Sequence, residues 1–231
     1  MIPFRYDPDV LLRFPRLSGG AILGTGIENG LTPVELRNAY LAEQKVVLER
    51  TGSTSFSEIE TLAGWRGAFR LFGVDPTQYR SAAEALLRRL TKKGDIPCIN
   101  AVVDACNLVS IRYGLPVAAF DLRAVRGSIT VRFATGQEWF TPLGESTAEH
   151  PELGEVIFID EAGLVVARRW CWRQSEESAS REETREALFT IEAQHASGSM
   201  MVERALTDLK TLLKRYAAGI YQREMISPKN G

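Results

Sequence analysis

Residues 97–107 read Pro-Cys-Ile-Asn-Ala-Val-Val-Asp-Ala-Cys-Asn, and at this stretch the chain changes from a helical half to a strand-rich half. From Asn100 to about Arg112, apolar residues lie on nearly every side of a predicted helix, which is typical of a buried helix. Asn100, Asp104 and Asn107 interrupt this pattern on one face. A buried polar side chain costs about 1–3 kcal/mol unless it finds a partner. The stripe therefore either braces neighbouring backbone or lines a cavity for a polar ligand.

The chain before this stretch is predicted to be mainly helical. Motifs of the form Ser/Thr-x-x-Glu, which start helices, occur at residues 32–35, 55–58 and 81–84. They predict helices over residues 33–50, 55–71 and 81–94. The glycine-rich first thirty residues are predicted to form strand and turn.

The chain after this stretch is predicted to be mainly β. Segments of strand length, rich in β-branched and aromatic residues, cover 117–122, 128–134, 155–160, 164–174 and 187–195. An amphipathic helix is predicted over residues 200–218, and residues 227–231 are predicted to be frayed. Helices followed by strands, without strict alternation, predict an α+β fold with a mixed or antiparallel β core.

The composition is that of an ordinary soluble globular protein, with 45% hydrophobic and 25% charged residues in a chain of 231. The sequence contains no apolar run of the roughly 18–20 residues that a membrane span needs, so no membrane partner is expected. Three cysteines without CxxC spacing and two unpaired histidines predict neither a disulfide framework nor a metal site. We expect a cytoplasmic protein without a cofactor.

The formal net charge of −1 argues against a protein that coats nucleic acid through bulk electrostatics, and no DNA partner is expected. The charges are unevenly distributed, however. Residues 66–93 include seven basic and two acidic residues, whereas residues 145–161 include six acids and no lysine or arginine. A local basic surface on a nearly neutral protein fits a partner that touches only part of it.

The helix predicted after Ser81 carries most of these basic side chains away from its apolar face. A solvated charged face explains the pattern, and so does a phosphate-contacting face, because Arg makes bidentate contacts and Lys point-charge contacts. Both interpretations stay open. The residues concerned are Arg80, Arg88, Arg89, Lys92 and Lys93.

Residues 168–173 read Arg-Arg-Trp-Cys-Trp-Arg, a run in which arginines flank two tryptophans. On one predicted strand, Arg168, Trp170 and Trp172 would share one face, and Arg169 would lie on the other. Such groups bind bases or an aromatic amino acid, but a tryptophan pair closes a core equally well. The pattern does not decide between the two.

Two further motifs are weaker. Gly24-x-Gly26-x-x-x-Gly30 misses the spacing of a dinucleotide-binding loop by one residue, so turn glycines explain it better than a phosphate cradle. His195 near Glu192 is a weak acid–base candidate, and no catalytic triad or carboxylate pair is recognisable in the sequence. These residues by themselves do not define a catalyst.

Short motifs follow one another through the middle of the chain. They are Trp65-Arg66-Gly67-Ala68-Phe69, Gly73-x-Asp75-Pro76, Arg80-Ser81-x-x-Glu84-Ala85-Leu86-Leu87-Arg88-Arg89, Pro97-x-Ile99-Asn100-x-x-Val103-Asp104-x-x-Asn107 and Gly114-x-Pro116-x-x-x-Phe120-Asp121-Leu122. Over roughly residues 60–195, this succession resembles the B3/B4 module of the phenylalanyl-tRNA synthetase beta subunit, especially its free-standing relatives. The resemblance implies a closed, barrel-like β core flanked by helices.

The resemblance also implies an activity. In the synthetase, this module hydrolyses mischarged tyrosyl-tRNA that carries the phenylalanine anticodon. A threonine–asparagine pair of the family's pocket falls at Cys106-Asn107, a family histidine falls at Ala118, and a pocket glutamate falls near Glu192. Because Cys106 and Ala118 depart from the family, the resemblance does not define which amino acid is accepted. Attack of water on an activated ester can rely on positioning without a protein nucleophile.

The resemblance therefore implies an RNA-binding, tRNA-editing-like protein, with hydrolysis of mischarged aminoacyl-tRNA in trans as its candidate reaction. A non-catalytic module that binds tRNA, another RNA or an amino acid is the alternative. The expected partners are tRNA or aminoacyl-tRNA and a small amino-acid ligand. The candidate residues are Asn107 and Glu192 for catalysis, Asn100, Asp104, Cys106, Asn107, Ala118, Trp170 and Trp172 for substrate, and Arg80, Arg88, Arg89, Lys92 and Arg169 for RNA.

We expect residues 1–231 to form a single B3/B4-like domain. Within it, residues 1–60 are predicted to be an N-terminal strand and helix extension. This extension would pack on a motif-bearing core over residues 60–219.

Overall fold

The computed structural model describes residues 2–52 and 54–226. The helices are α1 (Pro8–Arg13), α2 (Val34–Thr51), α3 (Glu60–Leu71), α4 (Ala82–Lys93), α5 (Ala101–Tyr113) and α6 (Gly198–Tyr216). The strands are β1 (Phe4–Tyr6), β2 (Ser18–Thr25), β3 (Val117–Asp121), β4 (Ile129–Phe133), β5 (Val156–Ile159), β6 (Val165–Arg168), β7 (Arg173–Gln174), β8 (Glu186–Ala193) and β9 (Ile220–Ile226). The predicted α+β class is confirmed. The fraying predicted for residues 227–231 lies outside the described residues.

The described strands form two sheets. One has the order β1-β4-β5-β6-β7, in which β1 and β4 are parallel and the other pairs antiparallel. The other has the order β3-β8-β2-β9 and is antiparallel throughout. The mixed β core is thus confirmed, but the closed barrel is wrong for this part of the chain. Closure would require edge strands to pair, and the first sheet ends on strands of only three and two residues.

Strand β8 separates two apolar cores. Phe189 and Ile191 point into the core that this sheet shares with α5 and α6. Leu188 points to the opposite face of the strand and belongs to the core between the two sheets. Thr190 and Glu192 lie two and four residues after Leu188, so they are on the same face of the strand and also point into the space between the sheets. This space contains the candidate site.

Residues of the predicted N-terminal extension take part in both sheets. Strand β1 pairs with β4, and β2 is hydrogen-bonded on one side to β8 and on the other to β9. The predicted boundary near residue 60 stays a prediction. Among the described helices, none is both long and apolar enough to cross a membrane.

One predicted helix start is wrong, and two are confirmed within one residue. Helix α2 begins at Val34, but the cap predicted at Thr32 is wrong, because the N-cap residue is Pro33, which makes no side-chain hydrogen bond; the hydroxyl of Thr32 donates to Asp104. Helix α3 begins at Glu60, since residues 56–58 form a turn. The third motif, at residues 81–84, does cap α4, with the serine hydroxyl accepting from the backbone three residues on.

The predicted strand over residues 164–174 is also wrong. It divides into β6 and β7, and the turn between them contains Arg169 and Trp170 with φ angles of 43° and 58°. The turn has a physical cause in Glu155, whose carboxylate accepts from the Arg168 guanidinium and from the backbone N–H of Arg169. Arg168, Trp170 and Trp172 therefore do not share the face of one strand.

Candidate functional site

A cavity of about 400 Å³ lies between the two sheets, beside the N-terminal half of α5. It is formed by α5, β3 and β8 together with the turn between β6 and β7. The turn and these three elements are distant in sequence, yet they bring most of the candidate substrate and catalytic residues together. Those that line the cavity are Cys106, Asn107, Ala118, Trp170, Trp172 and Glu192.

Two members of the polar stripe on α5 brace backbone. Asn100 caps the helix, with its side-chain oxygen accepting from the N–H of Val103 at 2.9 Å and its amide donating to the carbonyl of Ser180 at 3.3 Å. Asp104 accepts from the Thr32 hydroxyl and from a backbone N–H in the loop before α5. Neither of these two residues is among those that line the cavity. Their contacts favour the bracing interpretation.

Asn107 is the stripe residue that lines the cavity, beside an apolar wall. Its neighbour Cys106 is buried, and burial, with a smaller effect of Asp104, raises the pKa of the thiol far above its usual range. A protonated thiol is not a nucleophile, so Cys106 and Ala118 act as apolar lining. Asn107 supplies this wall with a donor and an acceptor.

Glu192 is a buried carboxyl in the cavity wall, with 2% of its surface exposed. Its Oε1 accepts from the Tyr6 hydroxyl at 2.9 Å and from the Trp170 indole N–H at 3.0 Å. Burial raises the pKa of Glu192 to about 7, although both hydrogen bonds act in the opposite direction. Because both described hydrogen bonds reach Oε1, Oε2 is left for a group in the cavity. A carboxyl with this pKa can exchange a proton near neutral pH.

The position of Tyr6 depends on a glycine opposite Glu192. Gly19 pairs with Glu192 in the β2–β8 ladder, and a Cβ atom on Gly19 would lie 1.8 Å from the Tyr6 hydroxyl oxygen. We expect Gly19→Ala to lower the free energy of unfolding by about 1–3 kcal/mol through overpacking, measured by urea denaturation. Gly67→Ala is the matched control, because a Cβ atom there meets nothing within 4 Å. Equal losses in the two variants would contradict this role of Gly19.

The two tryptophans predicted for the site differ in their surroundings. Trp170 is fully buried, with its ring edge-to-face against Phe14 at 4.8 Å and Trp65 at 5.2 Å between centroids. Trp172 is only partly buried and packs edge-to-face against Tyr79. Trp170 therefore serves the core and orients Glu192, whereas Trp172 belongs to the accessible rim of the cavity.

Two of the predicted RNA-binding residues belong to a charge cluster around Glu84, whose side chain is 1% exposed. The Glu84 carboxylate lies 2.8 Å from Arg88, 2.7 Å from Arg66 and 4.0 Å from Arg80. We call these four residues the arginine cluster. Three guanidinium groups around one carboxylate leave the cluster with a net charge of +2. The part of Arg66 in it was missed from the sequence, although its spacing to the other arginines is visible in the motifs.

The remaining predicted RNA-binding residues lie in different environments. Arg89 is 3.9 Å from Asp95 on the surface, and Lys92 is exposed. Arg169 is buried, with its Nε 3.7 Å from a carboxylate oxygen of Glu155. These residues therefore do not form one uniform basic face.

His195, the weak acid–base candidate, follows the end of β8 and is not among the cavity-lining residues. Its Nε2 lies 3.1 Å from the Met201 sulfur, and burial lowers its pKa. The structure thus does not bring it to the cavity with Glu192.

The fold and the cavity together define an α+β domain with an internal site between two sheets. Residues 64–218, more than half of the chain, match the family model described as the B3/4 domain. The chain therefore belongs to the B3/4 domain family. The family resemblance seen in the motifs is confirmed.

Relatives of the chain include phenylalanine–tRNA ligase beta subunits. It is 35% identical to that of Idiomarina loihiensis over 120 residues, which cover 52% of this chain and 15% of the relative. It is 25% identical to that of Francisella tularensis over 139 residues, which cover 60% of this chain and 17% of the relative. It is 29% identical to that of Corynebacterium glutamicum over 153 residues, which cover 65% of this chain and 15% of the relative. The chain thus matches less than a fifth of each of these relatives.

Among solved structures, the chain is similar to an N-terminal fragment of the phenylalanyl-tRNA synthetase beta-subunit from Pyrococcus horikoshii. The TM-score is 0.51, and the match covers 98% of this chain and 55% of the fragment at 12% sequence identity. At this identity the likeness concerns the fold alone.

Proposed function

We propose that the protein binds aminoacyl-tRNA and hydrolyses the ester of a mischarged amino acid in trans. Its relation to phenylalanine–tRNA ligase beta subunits supports a role connected with tRNA aminoacylation. The observation that carries the proposal is the cavity in which Asn107 and Glu192 meet an otherwise largely apolar lining. A cavity of about 400 Å³ has the size expected for a small-molecule site. DNA is not an expected partner, and the expected location is cytoplasmic.

The proposed reaction assigns a role to two polar groups of the cavity, Asn107 and Glu192. Asn107 holds the amino acid or the attacking water through its amide. Water attacks the ester carbonyl carbon, the bond from that carbon to the ribose oxygen breaks, and the ribose oxygen takes up a proton. Glu192, through its free Oε2, is the candidate group that accepts a proton from the water.

Deacylation of a panel of tRNAs, each mischarged with a different amino acid, tests this proposal. We expect the wild-type protein to deacylate at least one member and Asn107→Ala to lower that rate by about tenfold or more. Asn38→Ala, on the exposed face of α2, is the matched control and should behave as wild type. Loss of hydrolysis with unchanged thermal unfolding would support Asn107 as a site residue. No cleavage of any member by the wild type would exclude hydrolysis.

A non-catalytic binding module is the second candidate function. It is favoured by the apolar wall, because Cys106 and Ala118 stand where the family resemblance implies polar groups. Such a module would bind tRNA, another RNA or an amino acid without turnover. Binding of uncharged tRNA that weakens with added salt, with no deacylation of the panel, would distinguish it from the enzyme.

A further inference from the structure

A second concavity, of about 500 Å³, follows helix α3 and shares no described lining residue with the cavity between the sheets. We call it the α3 groove, and it is bounded by Arg13, Arg16, Glu60, Gly67, Gln194 and His195. Its lining residues on α3 recur at helical spacing from Glu60 to Leu71, so they lie along one face of the helix. This face is about 16 Å long, at a rise of about 1.5 Å per residue. A volume of this size spread over that length makes the groove narrow, a shape that suits an extended polypeptide chain.

The floor of the α3 groove allows a ligand backbone to approach closely, because it is made of glycine and alanine side by side. A Cβ atom on Gly67 would meet nothing within 4 Å, so the space above this residue is open. A Cβ atom on Gly64 would lie 2.5 Å from the carbonyl oxygen of Gln194, so the chain after β8 packs directly on the helix there and forms one wall. The small residues provide the space, and the walls provide the polar groups.

The charged groups of the α3 groove include two arginines and one acid. Arg13 donates to the carbonyl of Leu71 at 3.1 Å, which holds its guanidinium at the C-terminal end of α3. Arg16 is exposed on the same wall, and in the described part of the chain neither arginine forms an ion pair. Glu60, the first residue of α3, lies at the opposite end of the helix from Leu71. The two guanidinium groups favour a carboxylate as ligand, because the planar fork of arginine matches its geometry.

Two buried side chains in the wall of the groove each have a polar atom without a partner. Gln194 is 5% exposed and His195 4% exposed, and among the described residues Nε2 of Gln194 and Nδ1 of His195 make no hydrogen bond. Burial lowers the pKa of His195, so its ring is neutral, and Nε2 carries the proton because it faces the Met201 sulfur, an acceptor, at 3.1 Å. An unpaired donor on Gln194 and an unpaired acceptor on His195 together complement a peptide group, which offers one C=O and one N–H.

We propose that the α3 groove binds the C-terminal segment of another polypeptide in an extended conformation, with small side chains toward its floor. The terminal carboxylate pairs with Arg13 and Arg16. A peptide group of the bound segment accepts from the Gln194 amide and donates to Nδ1 of His195. The hydrogen bond from Arg13 to Leu71 bridges α1 and α3 at this end of the groove, which favours a chain that ends there over one that continues. The site is separate from the cavity and does not rest on the proposed hydrolysis.

Titration of the full chain with acetyl-tetraalanine that has a free C-terminal carboxylate, followed by NMR, tests this inference. The backbone amide signals of Gly64, Gly67 and Gln194 are expected to shift and saturate, whereas that of Asn107 in the cavity should not move. The same peptide with a C-terminal amide is the matched ligand, and it should bind about tenfold more weakly, because it lacks the charge that pairs with the arginines. Equal binding of the two peptides, or no shift of the groove signals at millimolar peptide, would overturn the inference.

Three variants identify the groove as the site. Arg16→Ala should weaken binding of the acid peptide by about fivefold or more. Arg70→Ala is its matched control, because Arg70 is an exposed arginine of α3 that is not among the described lining residues, and it should bind as wild type does. Gly67→Leu should abolish binding, since its side chain enters the open space of the groove, and leucine is also the better helix former.

The outcome is independent of the proposed hydrolysis. Asn107→Ala should bind the acid peptide as wild type does, so loss of deacylation and loss of peptide binding are separate results. If Gly67→Leu fails to fold, Arg16→Ala decides the question, because it changes only an exposed side chain. Wild-type affinity in Arg16→Ala would then overturn the inference. A dimer in sedimentation velocity that Arg16→Ala dissociates would assign the groove to a second copy of this chain, and would also overturn it.

Discussion

Replacement of Glu155 by alanine is expected to lower the free energy of unfolding by about 3–5 kcal/mol, because a buried ion pair loses one partner. The Glu155 carboxylate accepts from the Arg168 guanidinium at 2.9 and 2.8 Å and from the backbone N–H of Arg169 at 3.1 Å. The Arg168 side chain is 2% exposed, so water cannot replace the lost carboxylate. Urea denaturation followed by circular dichroism measures the change.

Glu149→Ala is the matched control for this prediction. Glu149 also pairs with Arg168, but its side chain is 47% exposed. Its loss should therefore cost no more than about 1 kcal/mol. Equal destabilisation of the two variants would mean that burial of the Glu155 pair is not the cause.

The stability of the wild type relative to Glu192→Gln is expected to fall by about 3 kcal/mol as the pH rises from about 4.5 to about 7. Burial raises the pKa of Glu192 to about 7 from its ordinary value of 4.5. Above pH 4.5 the unfolded chain ionises first, so the stability contributed by the protonated folded carboxyl is lost progressively up to pH 7. Glutamine keeps an acceptor for Tyr6 and Trp170 and cannot ionise. Urea denaturation of both proteins across this range measures the difference.

Glu186→Gln provides the control, because it removes an exposed carboxyl from the same strand. A pH-dependent difference for Glu192→Gln no larger than that for Glu186→Gln would contradict the burial effect. If the wild type deacylates tRNA, its rate should rise with pH through the pKa of Glu192, and this rise should be absent in Glu192→Gln.

Features that depend on local spacing could be predicted from the sequence. The apolar pattern around residues 100–112 predicted the buried helix α5, and the serine and glutamate at 81 and 84 predicted the start of α4. The order of helices and strands predicted the α+β class, and the succession of motifs predicted the family. Each element and each motif is recognised from a few neighbouring residues, and their order is read along the chain, so no knowledge of distant contacts was needed.

The contacts that define the site were decided by the tertiary structure. Periodicity placed Asn100, Asp104 and Asn107 on one face of the helix, but it does not predict which residues pack against that face. Asp104 accepts a hydrogen bond from Thr32, which lies 72 positions away in the sequence, and so braces the loop structure. Asn107 lines the cavity. The start of α2 was predicted within one residue, but the hydrogen bond of the Thr32 hydroxyl to the distant Asp104 was not.

Residues 168–173 show the same difference between what the local sequence pattern predicts and what tertiary contacts decide. The alternation of aromatic residues predicted a single strand. The backbone instead forms a turn at Arg169, whose N–H donates to the buried carboxylate of Glu155, 14 positions earlier in the sequence. Likewise, Tyr6 lies 186 positions from the Glu192 carboxylate to which it donates. The sequence by itself determined most of the elements, their apolar faces and the family. Only the tertiary structure decided which polar groups are paired and which face the cavity, because a buried hydrogen bond or ion pair depends on partners that local patterns do not specify.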